Sequence, residues 1–352
     1  MSIYIRSAAS VSAQNTLDNQ EFLTDTITYS GTHLPVIAPD YKQYIDPKLI
    51  RRMSHVIKMG VAAAQQCLNN AQVQIPGAIV TGTALGCIED TYVFLDRIIE
   101  MEEEMLPPTA FIQSTHNTVG AQVALMLKCH AYNNTFVHKG VSFENALLDA
   151  VLLLNEGDAD NVLVGGIDEM TNESHTVLKR LGLFRRGEVS NDTLYETTGK
   201  GTIGGEGASF VLLTDRSSLE NMAQLRSLKT TFKPNVPIAD LINDFLNNEG
   251  LSKEDIDIVI TGRNGDVHND AVYDFIPGIF PDSTIANYKH LTGEYATVSG
   301  FALWLGTNMI KRGEVPEVTL QQKSKVEVKP KNLLIYNHYQ NTYHSFLLLS
   351  SC

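Results

Sequence analysis

Apolar and polar positions follow two rhythms along this chain. Over 142–156, Phe143, Ala146, Leu147, Ala150, Val151 and Leu154 recur at steps of three and four, which predicts a largely buried helix with Ser142 placed to cap its start. Comparable stretches predict helices over 47–70, 118–128 and 299–311. Between them lie short runs at 78–81, 161–165, 208–214, 256–261, 333–336 and 345–349, several of them unbroken apolar segments. Such runs suit strands covered on both faces by helices. Residues 1–6 read as an opening strand. Strands that alternate with amphipathic helices predict an α/β architecture. A polar stretch over 215–233 marks a soft boundary, so an N-terminal half over 1–215 and a C-terminal half over 216–352 are expected.

Composition narrows the possibilities. A chain of 352 residues can bury a substantial core. With 43% hydrophobic and 19% charged residues, and no apolar run of the roughly 18 residues that a spanning helix needs, it reads as an ordinary cytoplasmic protein. The start lacks the charged-then-apolar layout of a secretion signal. A net charge of −13 argues against nucleic acid or an anionic membrane face as partners, because both need a surplus of Lys and Arg. It also argues, more weakly, against attraction to an acidic carrier protein, which a local patch of Lys179, Arg180, Arg185 and Arg186 could still dock. Cys67, Cys87, Cys129 and Cys352 form no C-x-x-C pair and have no histidine at zinc spacing, so neither a metal nor a cofactor is expected. The first three read as small buried thiols.

Several segments, in order along almost the whole chain, resemble landmarks of the β-ketoacyl synthases of the thiolase-like superfamily. Asp46-Pro47 through Arg52-Met53 to Ala71 resembles the early D-P…R-M…A-x-x-A helix, and Thr81-Gly82-Thr83-Ala84-Leu85-Gly86 the glycine turn after it. The segment from Pro107-Pro108 to Asn117 and Ala124 follows. Then come Gly165-Gly166-Ile167-Asp168-Glu169, the Gly201–Gly207 run, and Lys289-His290-Leu291-Thr292-Gly293-Glu294 with Ser299-Gly300 behind it. The resemblance implies two similar α/β halves in a duplicated, five-layered αβαβα fold.

It also implies a catalytic Cys-His-His set, which the matching positions lack. The nucleophile turn reads Val137-His138-Lys139-Gly140-Val141-Ser142, with Lys139 at the cysteine position. A helix N-terminus favours a thiolate and disfavours an ammonium, so Lys139 does not suit condensation. Gly262 takes the first histidine position and Glu294 the second; Lys289 alone keeps its family identity. Imidazoles there are expected to donate to a malonyl thioester carbonyl, whereas glycine has no donor and an ionised glutamate repels the developing enolate. The glycine-rich gating loop becomes Asn337-His338-Tyr339-Gln340-Asn341-Thr342-Tyr343-His344.

Three alternatives stay open for the altered site. His138, His268, His338 and His344 could form a substitute acid-base pair. A buried Lys139 could act as an amine nucleophile. Or Lys139 pairs with Glu294 or Glu206 as the site collapses into a salt bridge.

A ketosynthase fold without its nucleophile resembles the chain-length-factor subunits that pair with an active ketosynthase in type II polyketide and aryl polyene pathways. The resemblance places partner contacts over 98–111, with Met101, Met105 and Phe111 as tunnel-wall candidates beside His338 and Tyr339, although core packing explains the first three equally well. Other readings are an enzyme of altered chemistry, decarboxylating or transferring an acyl group, and a homodimeric acyl-binding scaffold.

Overall fold

The computed structural model describes residues 2–17, 22–197, 199–324 and 329–352. Its first set of strands comprises β1 (Ile3–Val11), β2 (Ala78–Gly82), β3 (Tyr132–Phe136), β4 (Asn161–Asp168) and β5 (Gly207–Thr214). Their spatial order is β3-β2-β4-β5-β1, with β2 parallel to β3 and β4 and the other pairings antiparallel. A second set repeats this. Strands β6 (Ala223–Phe232), β7 (Ile258–Thr261), β8 (Thr284–Asn287), β10 (Asn332–Tyr339) and β11 (Tyr343–Ser350) stand in the order β8-β7-β10-β11-β6 with the same directions, and the short β9 (Leu320–Gln322) adds to the edge at β8. Pairing of β1 with β6, at Ile3 opposite Leu225, joins both sets into one eleven-stranded sheet.

Helices fill the remaining layers. Outside the first set lie α1 (His55–Ala71) and α4 (Thr118–Leu127), preceded along the chain by α2 (Ile88–Glu100) and α3 (Pro108–Gln113); outside the second lies α7 (Ile238–Asn248). Between the two sets run α5 (Ser142–Glu156) and α8 (Ser299–Arg312), with α6 (Asn172–Arg180) beyond β4. The strand residues divide accordingly. Val162 and Val164 face the central helices while Leu163 faces α1, and Ile258 and Ile260 face inward while Val259 faces the α7 layer. A strand wetted on neither side needs apolar residues at every position, hence the unbroken runs. The result is the five-layered, duplicated α/β fold.

Four local expectations change. The predicted helix over 47–70 is two helices, Pro47–Ile50 and His55–Ala71, parted at 51–54. The opening strand runs over Ile3–Val11, and Met1 lies outside the described residues. The polar stretch over 215–233 contains β6, the strand at the seam; its outward face carries Gln224 and Arg226, which masked the alternation. Ser142 does not cap α5. It is the first helical residue, and its hydroxyl braces the preceding turn instead.

Candidate functional site

The turn before α5 is tight and fully committed. The His138 amide donates to Ser142 Oγ (2.7 Å), which donates to the Lys139 carbonyl (2.8 Å). Lys139 has φ +49°, a conformation that costs an ordinary residue about 1–2 kcal/mol. Its side chain is exposed, so the desolvation that an amine nucleophile needs is missing. Beside it a Cβ on Gly140 would stand 2.2 Å from Tyr339 Cγ, so only glycine lets the Tyr339 ring press onto the turn. Within 138–141 there is neither thiol nor hydroxyl, and the nearest hydroxyl, Ser142, is already bonded.

At Gly262, where the resemblance expects the first histidine position, there is no space for a side chain. A Cβ on Gly262 would fall 2.1 Å from Asn337 Oδ1 and 2.6 Å from the Tyr273 hydroxyl, so these two groups occupy what an imidazole would need. The second position holds an ion pair. Lys289 Nζ lies 2.8 and 3.1 Å from the Glu294 oxygens, and Asn264 Nδ2 donates to Glu294 Oε2 at 2.7 Å. Lys289 is 1% exposed. Lys289, not Lys139, therefore takes Glu294, while Glu206 bonds His55 (3.1 Å) and the amides of Val36 and Met170. Burial pushes the Glu206 carboxyl up, but its bond to His55 and that residue's charge outweigh this and hold it low.

The altered gating segment is a β-hairpin. Gln340 and Asn341 sit at φ +52° and +49° between β10 and β11, and the Thr342 amide donates to the Tyr339 carbonyl at 3.1 Å. Two consecutive left-handed residues make the tight turn whose twist matches paired strands. His338 is stacked on Tyr273 at 5.0 Å, with Nε2 donating to the Asn269 carbonyl (2.9 Å) and Nδ1 accepting from the Asn341 amide (3.1 Å). Burial, helped by the charge of Lys289, lowers its pKa to about 3. Neutral and bonded at both nitrogens, it has no free donor for an enolate. His344 Nδ1 is bonded to the Tyr336 hydroxyl at 3.0 Å, while His138 and His268 are exposed. His338 and His344 lie side by side with ring centroids 5.7 Å apart, but each bonds other groups and no hydrogen bond joins any two of these four among the described residues.

A cleft of about 600 Å³ lies over the site, and Lys139, Asn264, Glu294, Tyr339, Phe184 and Phe232 are among the residues that line it. Met101, Met105 and Phe111 do not line it. They are 39%, 90% and 57% exposed, which removes core packing as their explanation. Arg185 is not a docking residue either: it is buried and donates to the carbonyls of Thr197, Gly201 and Gly265.

Several residues that shape the site carried no expected role. Asp168 accepts from Thr83 Oγ1 and the Ala84 amide with one oxygen, and from the Thr297 amide and hydroxyl with the other, tying the turn after β2 to the segment before α8. Burial raises the neighbouring Glu169 carboxyl to about 7, against the hydrogen bond it accepts from the Glu89 amide. The Gly-Gly-x-Asp-Glu motif was the only signal for these two; Asn337 was named only as the first residue of the gating segment, and Tyr273 had no signal. Among the described residues no cluster of His, Cys, Asp or Glu could hold a metal, and no helix is long and apolar enough to cross a membrane.

Comparison with known proteins agrees with this architecture. Residues 36–181 match the β-ketoacyl synthase N-terminal domain family. The ishigamide ketosynthase/chain length factor superposes with a TM-score of 0.83 at 17% identity, covering 100% of this chain and 99% of that one. A β-ketoacyl synthase from Burkholderia phymatum STM815 gives 0.78 at 15% identity over 100% and 99%. The ketosynthase ApeO in complex with its chain length factor ApeC, from Xenorhabdus doucetiae, gives 0.76 at 17% over 100% and 98%. No curated protein matches the sequence. Residues 36–181 therefore resemble the β-ketoacyl synthase N-terminal domain, and the whole chain shares the fold of ketosynthase and chain-length-factor proteins.

Proposed function

We propose that this chain is a non-catalytic subunit of the chain-length-factor type, pairing with an active ketosynthase in fatty-acid or polyketide chain building, the aryl polyene kind included. In this reading residues 1–215 and 216–352 are its two halves, Lys139, Gly262 and Glu294 stand at the lost Cys-His-His positions, and the protein works in the cytoplasm. The observation that carries it is that no position where condensation needs a thiol or an imidazole holds one: Lys139 is an exposed amine on the turn. Glu294 is paired with Lys289, Gly262 is backed by Asn337, and the hydroxyl of the nucleophile turn braces its own backbone.

A second feature supports association. Among the described residues strand β3 pairs only with β2 and leaves its other edge open, while Tyr132, Leu148 and Leu152 beside it are 44%, 43% and 47% exposed. An open strand edge next to apolar side chains is a template for pairing with another chain. Co-expression with a ketosynthase that has its Cys-His-His set tests the proposal: a stable 1:1 complex is expected, and exclusive self-association counts against it.

The retained cleft favours one other reading, an enzyme that decarboxylates malonyl carrier protein or transfers an acyl group. Under the subunit reading the purified chain releases no carbon dioxide from malonyl carrier protein beyond a Lys139→Ala control. Release above that control favours the enzyme.

A further inference from the structure

We propose that the tip formed by α2, α3 and the segment between them admits a chain unlike itself, whose facing surface sets an apolar slot among lysines and arginines. This rests on the subunit reading and specifies its partner. Ile99, Met105, Phe111 and Ile112 are 78%, 90%, 57% and 64% exposed, and the Phe94 and Phe111 rings, 5.4 Å apart, hold α3 against α2. A concentration of large apolar side chains on one tip marks a contact surface.

Charge decides what can cover it. Between Ile88 and Gln113 seven acidic residues stand against Arg97 alone, which leaves −6 of the chain's −13 on this short segment. Glu100, Glu102, Glu103 and Glu104 are exposed, and none of the four is in an ion pair among the described residues. A closed homodimer uses the same patch from both copies, so a self-pairing through this tip would ring one apolar seam with two sets of these glutamates. Like charges in one interface oppose association, whereas a basic rim turns the same glutamates into attraction and speeds encounter. The apolar residues therefore supply the contact, and the glutamates exclude the second copy.

Sedimentation of the full chain at about 50 mM and about 500 mM NaCl, where screening differs severalfold, tests this without the partner. The wild-type chain is expected to stay monomeric at low salt and to self-associate at high salt. The combined variant Glu100→Gln, Glu102→Gln, Glu103→Gln, Glu104→Gln is expected to dimerise at low salt, with a dissociation constant at least about tenfold below wild type. Adding Met105→Ser and Phe111→Ser should return that variant to monomer. Equal low-salt dissociation constants for wild type and the glutamine variant, or a dimer that survives the serine changes, overturns the proposal. If the glutamine variant dimerises as expected yet no active ketosynthase binds the chain, the subunit reading falls and the exclusion stands. If the 1:1 complex forms and the glutamine variant behaves as wild type, the exclusion falls and the subunit reading stands.

Discussion

The Lys289 ammonium and the Glu294 carboxylate meet at 2.8 Å, and Asn264 closes the pair from a third side. A buried pair of this kind adds little over apolar residues of equal volume, but breaking it strands one charge without a partner. Glu294→Ala should cost about 3–5 kcal/mol, because Lys289 is left almost fully buried and uncompensated. Lys289→Met combined with Glu294→Leu should cost less than half as much. Urea denaturation midpoints compare the two, and a double variant as unstable as Glu294→Ala shows that the pair is not the unit that matters.

Restoring the family residues should not restore the chemistry. An imidazole at 262 must displace Asn337 and Tyr273, whose oxygens stand 2.1 and 2.6 Å from where its Cβ would sit, well inside van der Waals contact. Gly262→His is expected to lose about 1–3 kcal/mol through overpacking, part of which Asn337→Ala recovers. The triple variant Lys139→Cys, Gly262→His, Glu294→His should extend no acyl thioester. Elongation above the wild-type background, followed by product mass, would mean that room for the imidazole had been kept.

Much of the fold was readable because of how it is buried. Helix α5 begins and ends where its three- and four-residue rhythm does, at Ser142 and Glu156, and the two-faced strands announced themselves as unbroken apolar runs. Strand β6 did not, since only part of it alternates and its outward positions carry Gln224 and Arg226. At the site, positions 139, 262 and 294 were singled out by resemblance alone, and the groups that crowd Gly262 were not foreseen. Asn337 and Tyr273 reach Gly262 from distant parts of the chain, and no local spacing encodes that approach. Lys289 and Glu294 lie only five residues apart, yet sequence alone favoured Lys139 or Glu206 as members of the pair because the turn's exposure was hidden.

Glu169 should make stability fall with rising pH. Its folded pKa, raised from 4.5 to about 7 by burial, means that folding favours the protonated form. The stability tied to that proton is fully present below the unfolded value of 4.5 and is lost as pH rises through about 7. Glu169→Gln, whose amide oxygen can still accept from the Glu89 amide, should therefore gain up to about 3 kcal/mol over wild type at pH 8 and little near pH 4.5. Thermal melts across that interval test the sign: a gain that does not change with pH would separate the effect from the carboxyl's titration.

The hairpin between β10 and β11 holds Gln340 in the left-handed region, where an asparagine is tolerated better than a glutamine. Gln340→Asn should thus raise stability by about 0.5 kcal/mol. Asn341 is a poorer place to intervene, because its side chain donates to the His268 carbonyl and its amide to His338 Nδ1. Putting glycine at both 340 and 341 imitates the family's mobile loop in composition only. The flanking strands remain paired from Asn332 opposite Ser350 to Tyr339 opposite Tyr343, and they fix the turn whatever its residues. The double glycine variant is therefore expected to fold, to keep slow amide exchange at Tyr339 and Tyr343, and to gain no decarboxylation. Fast exchange at both amides would show that the turn residues, and not the ladder, hold the segment shut.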